Sequence, residues 1–417
     1  MQIPVEHQAG LQLEEPDAVS ACLFRNTQFI YEFLLAGMEL RSLGARYTVG
    51  ENLNRFHIKN AADGVRERIL RRSAYVQEIA GRRTDYAVIS AANVTRSVNQ
   101  YLTHWIYPYK GKFHPQMVRA LLNILELRPG DWVLDPFIGS GTTAVEAQLL
   151  GIHTFGIDAS PLCVLQSRVK TQSIEVADLL QQAVGEFLNG LWIEPEDLRK
   201  FVRDRRFGDT RVANFFRLAE LMTLSDSRRR RRNPERALQK NLQAMLDSVQ
   251  LHRRIRDQLG LTLGKVALKV GDARALPLKN ESVDGILTSP PYSIALDYLQ
   301  NDAHALHRMG VDAARLREQI LGLRGRRKER LGNYNQDLFQ SYKEMARVLK
   351  PEKMAAVIIG NARLNGTEVQ TVEFTVESME KLGFRLEQEI DKVIFGLYNV
   401  MKSEKILIFR KIRQLRI

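Results

Sequence analysis

The sequence predicts an α/β protein: a doubly wound, mostly parallel sheet with a helical insertion and an N-terminal helical region. Three observations lead there. Residues 131–160 read as strand, glycine turn, helix and strand, a βαβ unit that demands parallel pairing and a right-handed crossover. Strand and helix text alternates again from 265 to the end, as a doubly wound sheet requires. At 417 residues the chain is longer than one core fills, because cores stop growing near ~250–300 residues, so insertions or an appendage are expected.

Taken in order, 17–48 and 64–82 hold apolar residues at helical spacing, with no strand-like alternation before 84, and 1–100 is therefore read as helical. Residues 101–169 form the first part of the core. There HPQMVRALLNIL is a helix closed by Pro129 and Gly130, DWVLDPF a strand, TAVEAQLLG a helix and HTFGIDAS a second strand. Residues 170–264 are helical, with apolar residues every three to four positions in 201–224 and 234–259. The second part of the core, 265–417, starts with the strands KVALKVGDA and VDGIL. It continues through the helix 336–351, the strand KMAAVIIGN and the helix 371–384, and ends in a hairpin of 385–396 with 405–411.

A composition of 44% hydrophobic and 26% charged residues excludes a disordered or collagen-like chain. No apolar run approaches the ~18 residues of a membrane span and the start lacks a basic-then-apolar signal, so a cytoplasmic protein is expected. Cys22 and Cys163 are too few for a disulfide framework, and His304 and His307 lack a partner in register, so no metal is expected. The net charge is +13 and is clustered: 197–259 has 17 Lys and Arg against 8 Asp and Glu, and 300–335 has 8 against 4. Such clustering is the footprint of a polyanion-binding face.

Asp135-Pro136-Phe137-Ile138-Gly139-Ser140-Gly141-Thr142-Thr143 stands at the carboxyl end of the first core strand, where an open α/β sheet binds ligands. Its glycines allow close backbone approach, and Asp158 ends the next strand where ribose hydroxyls need an acceptor. The third glycine of a dinucleotide fingerprint is missing, and Thr142 stands where a phosphate-binding loop needs lysine. S-adenosylmethionine, a nucleoside without phosphates, fits these residues. A second motif, Thr288-Ser289-Pro290-Pro291-Tyr292, follows another strand; its prolines fix an extended loop whose carbonyls are unpaired within it.

With both motifs, the chain resembles the S-adenosylmethionine-dependent DNA amino-methyltransferases, which methylate the N4 amine of cytosine or the N6 amine of adenine. The resemblance covers about 103–168 and 265–410. It implies that Asp135, Pro136, Phe137, Gly139, Ser140, Gly141 and Thr142 form the cofactor loop, that Lys112, His114 and Pro115 lead to the cofactor's methionine end, and that Asp158-Ala159 and Asp272-Ala273 meet its ribose and adenine. It also implies that Ser289, Pro290, Pro291 and Tyr292 are catalytic, with Tyr292 stacking on a flipped base. Ser289 leans the target toward cytosine, although many N4-cytosine enzymes run the two motifs in the opposite order.

Carbon-5 methylation needs a nucleophilic cysteine after proline, which neither cysteine offers. Trp105 and Tyr107 suit pocket lining and packing equally. Arg228, Arg229, Arg230, Arg231 and Arg232, near Phe207, Phe215 and Phe216, and then Arg324, Arg326, Arg327 and Lys328, are the expected DNA phosphate contacts. A restriction-modification system, with a cognate nuclease as partner, is the expected setting; the oligomeric state is open. The competing readings are an adenine-N6 enzyme, an RNA or tRNA guanine-N2 methyltransferase and a catalytically dead nucleic-acid binder.

Overall fold

A computed structural model describes residues 18–50, 53–93, 97–109, 111–190, 208–230, 233–291, 298–325, 329–364, 367–392 and 401–412. The N-terminal region is only partly helical. Strands β1 (Val19–Leu23), β2 (Tyr47–Val49), β3 (Arg55–Ile58), β4 (Val76–Ile79) and β5 (Arg82–Arg83) alternate with helices α1 (Ile30–Ser42) and α2 (Asp63–Arg72). They pair antiparallel in the order β2-β3-β1-β4-β5, and the first six elements form a split βαβ arrangement. The helical expectation missed these strands because each has five residues or fewer. In Arg55-Phe56-His57-Ile58 only Phe56 and Ile58 turn inward, too short an alternation to outweigh the apolar spacing around it.

This unit is tied to the core by a buried carboxylate. Helix α1 packs on α4 (Pro115–Ile124), and Glu39, fully buried on α1, accepts hydrogen bonds from Ser73 Oγ at 2.9 Å, Ala74 N at 2.8 Å and Asn123 Nδ2 of α4 at 2.7 Å. Between the two units lies α3 (Asp85–Ala91), whose N-cap Thr84 accepts from Ala87 N.

The core sheet has eight strands among the described residues. Strand β6 (Trp132–Asp135) leads through α5 (Thr142–Leu149) to β7 (His153–Asp158) and α6 (Pro161–Gln172). Helices α7 (Ala177–Asn189), α8 (Thr210–Arg230) and α9 (Pro234–Leu259) follow, and the chain re-enters the sheet at β8 (Val266–Val270) and β9 (Val283–Thr288). After β9 come α10 (Tyr298–Arg308), α11 (Ala313–Gln319), α12 (Arg330–Val348), β10 (Leu349–Leu364), β11 (Thr367–Val369), α13 (Thr371–Lys381), β12 (Phe384–Lys392) and β13 (Met401–Lys411). The order β12-β13-β10-β9-β6-β7-β8 is parallel from β10 to β8 and ends in the expected antiparallel hairpin, with β11 beside β10.

Successive residues of β10 enter different cores, Ala355, Val357 and Ile359 on one face and Ala356 and Ile358 on the other. The sheet is thus covered on both sides. From β6 the chain first builds outward through β7 and β8, then returns to lay β9 on the other side of β6. The switch in winding direction falls between β6 and β9, and the crevice beyond their carboxyl ends is where such a sheet binds ligands.

The helical insertion is helical as expected and has its own core. Phe187, Phe215, Phe216, Leu242 and Met245 are buried together against Leu162 and Leu165 of α6. Phe215 and Phe216 are therefore packing residues, unavailable to stack on nucleic acid. Asn233 caps α9 by accepting from Arg236 N at 3.0 Å, and Gly260 ends it with φ of 61°. Glu39→Ala, which strips the donors of both units of their acceptor, is expected to lower unfolding free energy by about 3 kcal/mol. Urea denaturation is the measurement; a loss below about 0.5 kcal/mol contradicts the tie.

Candidate active site

The loop after β6 is shaped by contacts its sequence makes possible. Asp135, 2% exposed, accepts from Thr143 Oγ1 at 2.7 Å and Phe137 N at 3.2 Å. Gly139 and Gly141 have φ of 48° and 79°, and a Cβ on Gly141 would lie 2.6 Å from Ser167 Oγ, so only glycine fits at 141. Asp158, at the end of β7, accepts from Gly139 N at 2.9 Å and Ser160 N at 2.8 Å, so the loop is bonded to the neighbouring strand.

Strand β9 brings the second motif to the same place. Every residue of β9 is buried, and Thr288 Oγ1 donates to Asp135 Oδ1 at 2.7 Å. Ser289, Pro290 and Pro291 then line the same cleft as Pro136, Phe137, Gly139, Ser140 and Thr142; its open volume is about 1050 Å³. Asp158-Ala159 and Asp272-Ala273 line it too, with Asp272 gripped by Arg274 at 2.7–3.0 Å. Tyr292 lies outside the described residues.

The cleft is acidic although the protein is basic. Asp135, Asp158, Asp272 and Asp302 line it, and among the described residues no Lys, Arg or His does. Burial pushes Asp135 up to about 6, against the pull of Thr288 and Thr143, and burial likewise pushes Asp158 to about 6. At neutral pH both remain ionised, and the site is suited to a ligand carrying positive charge.

Residues 81–167, including β6, the glycine loop and β7, match the family described as DNA methylase. The chain resembles the DNA amino-methyltransferases. The type II methyltransferase M.MjaII of Methanocaldococcus jannaschii is 46% identical over 76 residues, 18% of this chain and 14% of that protein. A tRNA (guanine(10)-N2)-dimethyltransferase of the same organism is 36% identical over 98 residues, 22% of this chain and 28% of that one. The chain thus spans less than a third of either relative's length. The crystal structure of TrmN from Thermus thermophilus overlaps 86% of this chain and 57% of that one, at 14% identity and a TM-score of 0.31.

Around this methylase-like centre, some expected residues stand elsewhere. Tyr109, Gly111 and Phe113 line the cleft, whereas Lys112, His114 and Pro115 do not. Lys112 Nζ donates to Asn99 O at 3.0 Å and His104 O at 2.7 Å, and His114 and Pro115 begin α4. Gly141 caps α5 behind the loop, and Trp105 and Tyr107 pack, Trp105 Nε1 donating to Ser248 Oγ at 2.7 Å.

Cys163, buried on α6, also lines the cleft, and the wall made by Leu299, Asp302 and Leu306 of α10 with Gln319, Ile320 and Leu321 was not expected from the sequence. Spacing of three and four along α10 was the available signal. Of the expected DNA contacts, Arg228–Arg230 lie on α8, while Arg231, Arg232, Arg326, Arg327 and Lys328 fall outside the described residues, as does Phe207. Arg324 pairs with Asp337 at 3.0 Å, which leaves it partly committed within the fold.

Because Asp135 and Asp158 have raised pKa values, the ligand-free protein holds more protons than the unfolded chain between the ordinary carboxylate range and about 6. Their contribution favours folding at low pH and is lost as pH rises through about 6. A cation needs the ionised forms, so its binding has the opposite dependence. Affinity for S-adenosylmethionine, measured calorimetrically, is expected to fall by up to roughly a hundredfold per pH unit below about 6 as both carboxylates protonate, and Asp158→Asn to reduce that slope to about tenfold; an affinity flat from pH 5 to 8 contradicts the assignment.

Proposed function

We propose that this protein transfers the methyl group of S-adenosylmethionine to an exocyclic amine of a nucleobase in DNA, with cytosine N4 as the target. The observation that carries this reading is the Thr288–Asp135 hydrogen bond, which sets Ser289 and Pro290 beside the glycine loop in one cleft. The loop suits the methionine end, Asp158 the ribose hydroxyls, and the four aspartates the cationic character of the cofactor. When bound, S-adenosylmethionine supplies an electrophilic sulfonium methyl.

The chain's own residues prepare the amine. Its lone pair is delocalised into the ring, which makes it a weak nucleophile. The Ser289 hydroxyl and the Pro290 carbonyl accept its two N–H bonds and orient the nitrogen, so that the lone pair points along the line of attack. No covalent enzyme intermediate is required. The amine proton leaves to water after transfer. Pro290 and Pro291 hold this geometry without backbone donors that would compete with the base. Phosphate contacts fall to the basic stretches around Arg228–Arg232 and Arg326–Lys328.

A second reading is methylation of guanine N2 in RNA, favoured by the 36% identity to a protein named for that reaction over the longer of the two matched stretches. Guanine N2 is also an exocyclic amine, and the same two acceptors serve it. Methylation of adenine N6 is the alternative within DNA. Ser289, a neutral acceptor, is what inclines the target toward cytosine. A restriction-modification role in the cytoplasm, beside a nuclease, completes the proposal; no described helix is long and apolar enough to cross a membrane.

Expression in a host free of DNA methylation, followed by sequencing of its genome, is expected to reveal N4-methylcytosine in one sequence context. Ser289→Ala is expected to lower the transfer rate on that site by about 10²-fold with the cofactor affinity retained. Unmodified DNA together with labelled methyl groups in RNA overturns the DNA assignment, and an unchanged rate for Ser289→Ala overturns the catalytic one.

A further inference from the structure

The cleft wall offers no basic side chain among the described residues, yet the amino-acid end of S-adenosylmethionine carries a carboxylate. The cationic groups of this region lie one layer behind the glycine loop. Lys170 of α6 is 1% exposed, and its Nζ donates to Ser140 O at 2.7 Å. Its own backbone carbonyl is held by Thr103 Oγ1 at 2.8 Å, which fixes α6 against the segment that enters the cleft at Tyr109. Lys112, half-buried, is the other lysine here, and among the described residues its Nζ donates to the carbonyls of Asn99 and His104.

Among the described residues neither lysine ion-pairs with a carboxylate within 4.0 Å. The nearby buried acid, Glu146, is taken by His104 at 2.8 Å, Tyr101 at 2.5 Å and Arg119 at 3.6 Å. Burial, and then the charge of Lys112, push Lys170 well below the ordinary lysine range. An ammonium buried without a counter-ion is costly, and a methionine or leucine of similar length would fill the same space without that cost. What a lysine adds is charge directly behind Ser140, at a loop whose cleft-facing side accepts the ligand.

We propose that Lys170 is a positioning residue that reads the cofactor's carboxylate through the glycine loop, its ammonium being the counter-charge that this end of the ligand brings into balance. The inference rests on the cofactor reading above. Asp158 and Asp272 stand toward the ribose and adenine, and Lys170 toward the end of the molecule that bears the negative charge. Ser140 transmits the effect, because its carbonyl is held from behind by Lys170 while its side chain, bonded to Thr142 Oγ1 at 3.1 Å, lines the cleft.

The test compares calorimetric binding of S-adenosylmethionine with that of decarboxylated S-adenosylmethionine, which keeps the adenosine, sulfonium and amine. The unaltered protein is expected to prefer the carboxylate-bearing ligand by about tenfold or more. Lys170→Met, which removes charge and donor, and Lys170→Gln, which keeps a donor for Ser140 O, are each expected to weaken S-adenosylmethionine about tenfold while changing the decarboxylated ligand less than about threefold.

Equal weakening of both ligands makes Lys170 a scaffold for the loop and overturns the proposal, and so does no weakening of either. Should Lys170→Met fail to fold, Lys170→Gln decides. The unaltered protein decides without any variant if it shows no preference between the ligands, which again overturns the proposal. Binding of neither ligand contradicts the cofactor reading itself and the inference with it.

Discussion

The structure depends on one carboxylate. Asp135 ends β6, and its two oxygens receive Thr143 from the helix after the glycine loop and Thr288 from the end of β9. Strands β6 and β9 meet where the winding direction of the sheet changes, and nothing in the chain connects their ends for some 150 residues of sequence between them. Parallel pairing aligns the strands, and the hydrogen bond from Thr288 sets the direction in which the following serine and prolines leave the sheet. Asp135 is raised toward neutrality by its burial, and two hydroxyl donors are what keep it ionised.

From that constraint follow two opposed electrostatic regions. The cleft is lined by aspartates, and just behind its glycine loop lies Lys170. Elsewhere the surplus positive charge sits in the helical insertion and in the segment after Thr288–Tyr292. An acidic cleft within a basic chain keeps the two regions of charge apart.

The glycine loop, the second motif and the alternation of core strands and helices were legible in the sequence because each depends on local chemistry: φ above zero at Gly141, rigid prolines at 290 and 291, an apolar run in β9. Parity along 109–115 was not legible. Residues 109–115 have no repeat to read, because Gly111 turns the chain with φ of 76° before α4 begins. The α10 wall depends on contacts with α8 that are remote in sequence. Phe215 and Phe216 looked available beside an arginine run, but helices that pack against each other bury their aromatics first. The N-terminal sheet was missed because its strands are shorter than a period count can resolve.

The central claim is that Asp135 holds both loops to one geometry, and a double-mutant cycle tests it most directly. Thr143→Val and Thr288→Val keep the side-chain shape and delete one donor each. Affinity for S-adenosylmethionine is measured for the parent, both single variants and the double variant. If both threonines act through Asp135, the losses are non-additive, with a coupling of about 1 kcal/mol. Losses that add within about 0.3 kcal/mol would mean that the two loops are held independently, and the account would be wrong.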